Sequence, residues 1–232
     1  MVQNLELPVI ETKQETPTIK SIKLEKNNFD YKPGQYVMME LETGDDENVH
    51  PLSIASSPSE EFLLLSTKIS ESSFKKKFNN LKIDNKIKIK GPMGVFVLNE
   101  TAKNIIFLGG GIGITPFRNM IKCATDKKLP IKLTLIYSNR TPNEICYKDE
   151  WRSMEKQNPN LKVVNTITDD ASNWNGRKGK IDEAMIKEFC SDLSCTLFYI
   201  CGPPGMVEGL SQLLKSMNIP QQNIKVEKFV GY

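Results

Sequence analysis

The sequence has one histidine, His50, in 232 residues. A chain with a single His cannot build a His-rich zinc site. Its five cysteines, Cys123, Cys146, Cys190, Cys195 and Cys201, include no C-x-x-C pair. That pattern argues against structural zinc and against an iron–sulfur cluster held by this chain alone, so no metal is expected. Charge of one sign is also missing. Lys and Arg number 31 against 28 Asp and Glu, a net charge of +3. Proteins that bind nucleic acid through a basic face carry a larger excess, so no nucleic-acid partner is expected. Long hydrophobic runs are absent. The longest, Ile105 to Ile114, is broken by glycines and falls short of the ~20 residues of a membrane helix. No membrane partner is expected. The opening Met1–Glu6 has neither a basic nor a long apolar region. With an odd cysteine count, this points to reduced thiols and a cytoplasmic setting. Chemistry in such a chain falls to an organic cofactor or to bare side chains.

What is present divides in two. Up to residue 99 the apolar residues alternate as in strands: Thr18–Leu24, Gln35–Leu41, Pro51–Ala55, Phe62–Thr67 and Lys86–Lys90. One helix is expected over Ser73–Leu81 with Ser72 as N-cap. Short strands with a single helix predict a closed antiparallel β-barrel, since closure removes exposed edges. From residue 104 to 232 strands and helices alternate, beginning with Ile105–Leu108 and a helix at Pro116–Asp126. Apolar strand runs separated by helices predict a doubly wound parallel sheet, an α/β domain.

The chemistry sits at the strand ends. Gly109-Gly110-Gly111-Ile112-Gly113-Ile114-Thr115-Pro116 follows a strand and opens a helix. Glycines let the backbone approach a pyrophosphate, and the helix end attracts it. Thr115 is expected as N-cap and Pro116 at the first helical position. Gly110, Gly111, Gly113, Thr115 and Pro116 are therefore candidate phosphate contacts; the alternative is a tight turn without a ligand. The second strand of this half ends Ser138-Asn139-Arg140 with no acid. An acid there would hold a ribose 2′-OH, whereas a hydroxyl and a guanidinium suit a 2′-phosphate. NADPH is expected over NADH, unless Arg140 merely caps the strand or pairs with Glu144. A later strand ends Cys201-Gly202-Pro203-Pro204-Gly205-Met206, at the mouth of the same sheet edge.

Four stretches, taken in order, resemble the ferredoxin–NADP(+) reductase superfamily. His50-Pro51-Leu52-Ser53 resembles its flavin motif Arg-x-Tyr-Ser. Gly109–Pro116 resembles its nicotinamide-nucleotide loop. Cys201–Met206 resembles its Cys-Gly-Pro-x-x-Met turn, and Glu227–Tyr232 its terminal segment. The resemblance spans about Ile19 to Tyr232. It implies FAD in the barrel, NADPH or NADH in the second domain, and hydride transfer between the two cofactors. Ser53 is the implied hydroxyl partner of the flavin N5 region, Leu52 the ring cover, and His50 the pyrophosphate contact beside Pro51. Thr67, Lys68, Ile69, Ser72 and Ser73 match the stretch whose helix end receives the FAD pyrophosphate. Cys201 and Glu227 are implied beside the nicotinamide, with Gly202, Pro203 and Met206 as nucleotide contacts. Tyr232 is implied as an aromatic over the flavin. The family further implies an electron acceptor. Lys75, Lys76, Lys77, Lys82, Lys86, Lys88 and Lys90 would steer an acidic carrier such as ferredoxin or flavodoxin, unless they only solvate the surface. Alternatives are a reductase of free flavin or small acceptors, and a non-catalytic nucleotide-binding subunit of a redox complex.

Overall fold

The computed structural model describes residues 1–42, 44, 48–169, 172, 174–190 and 192–229. Contacts divide the chain into two units. One joins Met1–Leu98 with Thr115–Cys123; the other joins Asn99–Ile114 with the chain from Ala124.

The first unit contains β1 (Gln3–Thr16), β2 (Ile19–Glu25), β3 (Tyr36–Glu40), β4 (Val49–Ser53), β5 (Phe62–Lys68), α1 (Ser73–Asn79) and β6 (Lys86–Met93). All pairings are antiparallel, in the order β4-β3-β6-β1-β2-β5. Ile54 bridges to Leu65, and the Ala55 N–H donates to the Leu64 carbonyl at 2.8 Å. These contacts join β4 to β5 and close the barrel that strand alternation predicts. Leu7, Val9, Ile22, Leu24, Val37, Met39, Leu63, Leu65, Ile87 and Ile89 fill it, each nearly free of solvent. Burying one such side chain stabilises by about 1.5–3 kcal/mol. Phe74 and Phe78 of α1 join this core. Ser72 caps the helix as expected, its Oγ accepting from the Lys75 N–H.

β1, the longest strand of the barrel, lies outside the segments that alternation predicts. It pairs through residues 3–8 with β6 and through residues 9–16 with β2, so it belongs to both walls. Its inward residues Leu5, Leu7 and Val9 alternate, but Pro8 and the charged run beyond Val9 interrupt the pattern.

The second unit carries β7 (Asn104–Gly110), a 3₁₀ turn at Gly111–Ile114, α2 (Thr115–Asp126), β8 (Lys132–Asn139), α3 (Lys148–Gln157), β9 (Leu161–Ile167), β10 (Arg177–Lys178), α4 (Glu183–Phe189), β11 (Thr196–Gly202), α5 (Pro204–Ser216) and β12 (Ile224–Lys228). By contacts, the first nine residues of α2 group with the barrel. The sheet is wholly parallel, ordered β10-β9-β8-β7-β11-β12. The chain runs outward from β7 in one direction, then restarts at β11 on its other side. The switch between β7 and β11 is where open α/β sheets bind ligands. Two details differ from expectation. β10 is two exposed residues, too short to show alternation. Thr115 is the first residue of α2 rather than its N-cap, because the glycine turn is itself helical and runs into the helix.

α2 is buried on nearly every side, so its polar residues need partners. Arg118, 4% exposed, donates to the Ala55 carbonyl at 2.8 Å and makes a two-bond pair with Glu60 at 2.9 and 3.0 Å. Asn119 Nδ2 donates to the Ile54 carbonyl at 2.8 Å. Thus α2 satisfies two carbonyls directly after Ser53. Removing the cation would leave the Glu60 side chain, 12% exposed, as an uncompensated charge. Arg118→Ala should therefore lower the unfolding free energy by about 3 kcal/mol or more in urea denaturation. A loss below about 1 kcal/mol would contradict this role.

Candidate active site

The glycine turn is shaped from within its own sheet. A Cβ on Gly113 would lie 2.6 Å from the Cys201 carbonyl carbon and oxygen and from Gly202 Cα. A Cβ on Gly110 would lie 2.3 Å from Met206 Sδ. These two glycines make room for the turn after β11, so the closeness expected towards a pyrophosphate is here a closeness between two loops. Gly111 differs. Its φ is +54°, which favours glycine, and no atom lies within 4 Å of its Cβ position. Of the three glycines it is the one with an open face. Tyr137, fully buried on β8, donates its hydroxyl hydrogen to the Gly111 carbonyl at 2.9 Å and fixes the turn. No motif marks this tyrosine in the sequence. Thr115 and Pro116 are buried and lie within the helix start.

Cys201 occupies the centre of the switch point, registered with Gly109 on one side and Glu227 on the other. It is fully buried, whereas its place at the end of a strand implies an open mouth. The packing of Gly113 onto its carbonyl accounts for that enclosure. Burial, and secondarily the Glu227 charge, pushes the thiol well above its usual range. It is therefore a neutral thiol and not a ready nucleophile. Glu227 Oε2 is buried with no hydrogen-bond partner among the described residues. Desolvation raises this carboxyl from 4.5 to about 7. The Phe229 N–H donates to the Gly202 carbonyl at 3.0 Å, joining the end of β12 to β11. Tyr232 lies outside the described residues.

A cavity of about 490 Å³ opens beside this edge, lined by Ser138, Thr168, Lys180, Ile181, Gly205, Met206, Gly209, Leu210 and Leu213. Ser138 and Met206 are expected here; Thr168, Lys180 and the α5 wall are not. Gly205 and Gly209, one helical turn apart on α5, have nothing within 4 Å of their Cβ positions. That spacing is the one sequence signal for the wall. Gly202 is buried, and Pro203 is exposed just before α5. Arg140 does not line the cavity. Its Nε donates to Asp169 Oδ2 at 3.1 Å, its backbone N–H donates to Glu144, and its side chain is 70% exposed.

On the barrel, Ser53 is buried at the end of β4, opposite Tyr36. Leu52 is 2% exposed and packs in the barrel core. The ring cover expected of it would have to come from a side chain that the barrel core already holds. His50 is half-buried with its ring centroid 4.3 Å from that of Phe74, while Pro51 is exposed. Ile69 packs against the core and donates its N–H to Thr18. Lys68 and Ser73 are half-buried, and Ser72 is engaged in the helix cap. Thr67 is fully buried, and its hydroxyl has no partner among the described residues. An orphaned buried hydroxyl calls for a polar guest. With Lys68 beside it, the set fits a phosphate-bearing cofactor. Among the described residues, no group of three or more His, Cys, Asp or Glu could hold a metal. Among them, too, no helix is long and apolar enough to cross a membrane.

Residues 7–98 match the oxidoreductase FAD-binding domain family, and residues 107–212 match the oxidoreductase NAD-binding domain family. The chain belongs to the ferredoxin–NADP(+) reductase superfamily. A component of the Na(+)-translocating NADH-quinone reductase of Pseudoalteromonas atlantica is 28% identical over 209 residues, covering 81% of this chain and 50% of the relative. The reductase component of the glycine betaine monooxygenase of Chromohalobacter salexigens is 27% identical over 208 residues, covering 87% and 56%. The chain thus spans about half the length of these relatives. A ferredoxin NADP+ reductase from Neisseria gonorrhoeae, solved with FAD and NADP, superposes with a TM-score of 0.84 at 20% identity, covering 97% of this chain and 98% of that one. A cytochrome P450 reductase from Amycolatopsis gives 0.86 at 20%, covering 98% and 70%. At such identities these neighbours show the fold.

Within this superfamily fold Glu227 carries a measurable signature. The folded protein holds a proton there that the unfolded chain releases above 4.5, so stability should fall as pH rises from about 4.5 to about 7. The loss is at most about 3 kcal/mol. Glu227→Gln should flatten that slope when unfolding free energies at about pH 5 and about pH 8 are compared. An unchanged slope would count against a buried, protonated Glu227.

Proposed function

We propose that this chain is an FAD-dependent oxidoreductase that takes hydride from NADPH or NADH and passes electrons to a separate carrier protein such as ferredoxin or flavodoxin. The observation that carries the reading is the pairing of Cys201 with Glu227 at the switch point of a nucleotide-binding sheet, in a chain that also has an FAD-binding barrel. When bound, the flavin accepts hydride from the reduced nicotinamide and releases electrons singly or in pairs.

The protein supplies position and electrostatics. Thr67, Lys68 and Ser73 hold the flavin's phosphates, and Ser53 presents its hydroxyl to the ring. The Gly111 turn and the 490 Å³ cavity hold the nucleotide. Cys201, enclosed behind the Gly113 turn, keeps the strand end beside the nicotinamide uncharged. Glu227, close to half-protonated near neutrality, offers a hydrogen-bond donor or a proton at Oε2.

The reductase components among the relatives support a protein acceptor. The lysine cluster supports it less than the bare sequence implies. Lys75 is 4% exposed, Lys76 pairs with Glu71 and Lys88 with Glu40. Lys77, Lys82, Lys86 and Lys90 remain on the surface. That partial neutralisation favours, as a second reading, a reductase of free flavin or small acceptors. Rates with an acidic carrier should fall as ionic strength rises, whereas free-flavin reduction should not.

The purified protein should take up one FAD and show oxidised-flavin bands. A colourless protein that cannot be reconstituted would leave only the nucleotide-binding role in a redox complex. Ser53→Ala should keep the flavin while slowing its reduction at least about tenfold; an unchanged rate would remove Ser53 from the site.

A further inference from the structure

We propose that Lys180 selects the nucleotide, holding the 2′-phosphate that distinguishes NADPH from NADH. The inference rests on reading the 490 Å³ cavity as the place of the nucleotide's adenosine end. Ile181, Met206, Leu210 and Leu213 give that cavity an apolar side suited to a base. Ser138, Thr168 and Lys180 give it a polar one.

Lys180 is the only charged side chain among the described lining residues, and none of them is a carboxylate. Reading a ribose diol calls for a carboxylate acceptor, while a phosphomonoester dianion calls for a cation with hydroxyl donors. The polar side has the second composition. Ser138 presents a hydroxyl, and Lys180 makes no ion pair among the described residues.

The described acid next to Thr168 in the chain is turned to other work. Asp169 follows Thr168 directly, yet it does not line the cavity. Its Oδ2 accepts from Arg140 at 3.1 Å and its Oδ1 accepts from the Thr168 hydroxyl at 3.0 Å. Its backbone N–H donates to the Arg140 carbonyl at 3.0 Å. Arg140 therefore acts as the counterion of Asp169. It holds that carboxylate away from the cavity instead of gripping the phosphate itself. Asp182 beside Lys180 is likewise occupied, capping α4 through the Met185 N–H.

Calorimetric titration of the full chain with adenosine 2′,5′-bisphosphate and with 5′-AMP tests the assignment without any turnover. The two probes differ only in the 2′-phosphate. The wild type should bind the bisphosphate at least about tenfold more tightly, the worth of one charge-assisted contact. Lys180→Gln should abolish that preference and leave 5′-AMP affinity within about twofold. Lys180→Arg should keep the preference, and so should Arg140→Ala. Equal weakening of both ligands by Lys180→Gln would place the lysine at the shared 5′-phosphate and overturn the proposal. So would a wild type with no preference, or a preference lost only in Arg140→Ala. Failure of the wild type to bind either ligand would instead overturn the reading of the cavity on which the proposal rests.

Discussion

The close approach of Gly113 to the Cys201–Gly202 peptide is the constraint around which the nucleotide edge is organised. Only a residue without a Cβ can stand there, because a methyl group would come within 2.6 Å of three backbone atoms. Backbone cannot give way as a flexible side chain can. The turn after β7 is therefore locked to the turn after β11, at the point where the strand order reverses. Cys201 is enclosed as a consequence, and its neighbour Glu227 shares a poorly hydrated environment. Tyr137 holds the other side of the same turn from β8. The adjoining strands β8, β7, β11 and β12 thus each add one group to a single edge.

The barrel has a comparable device. Its strand β4 carries Ser53, and the carbonyls of Ile54 and Ala55 directly after it are held by Asn119 and Arg118 of α2. The same helix grows out of the glycine turn. One buried helix therefore follows the glycine turn proposed to hold the nucleotide and, a turn later, carries the residues that fix the backbone beside the proposed flavin contact. Arginine in so buried a place is tolerated because Glu60 and a carbonyl satisfy it together.

Much of this was readable from residue order, and the failures have physical causes. Alternation marked β2 to β6, and β/α alternation marked the parallel sheet, because each element buries one face or both. β1 escaped because it serves two walls and carries Pro8 and charged residues in its exposed half. Leu52 aligns with a flavin-facing aromatic, yet a leucine gains more from the barrel core than from solvent, and it turned inward. For Arg140 the sequence offered a 2′-phosphate or Glu144 as partner; its side chain pairs with Asp169, which lies across a strand pair that only the fold brings together, while its backbone N–H donates to Glu144. Lys180 and Thr168 sit on connecting segments with no motif, so their meeting with Ser138 was invisible in one dimension. The lysine run reads as a surface patch, whereas Lys75 is buried and acids pair with Lys76 and Lys88, leaving four of the seven on the surface.

The barrel and the parallel sheet, on this reading, carry two cofactors that exchange hydride. Anaerobic titration of the FAD-loaded protein with NADPH, and separately with NADH, followed at the oxidised-flavin absorbance band, tests that claim most directly. Stoichiometric bleaching by reduced nucleotide is expected, with NADPH effective at lower concentration. A flavin that stays oxidised in the presence of excess of either nucleotide would contradict it.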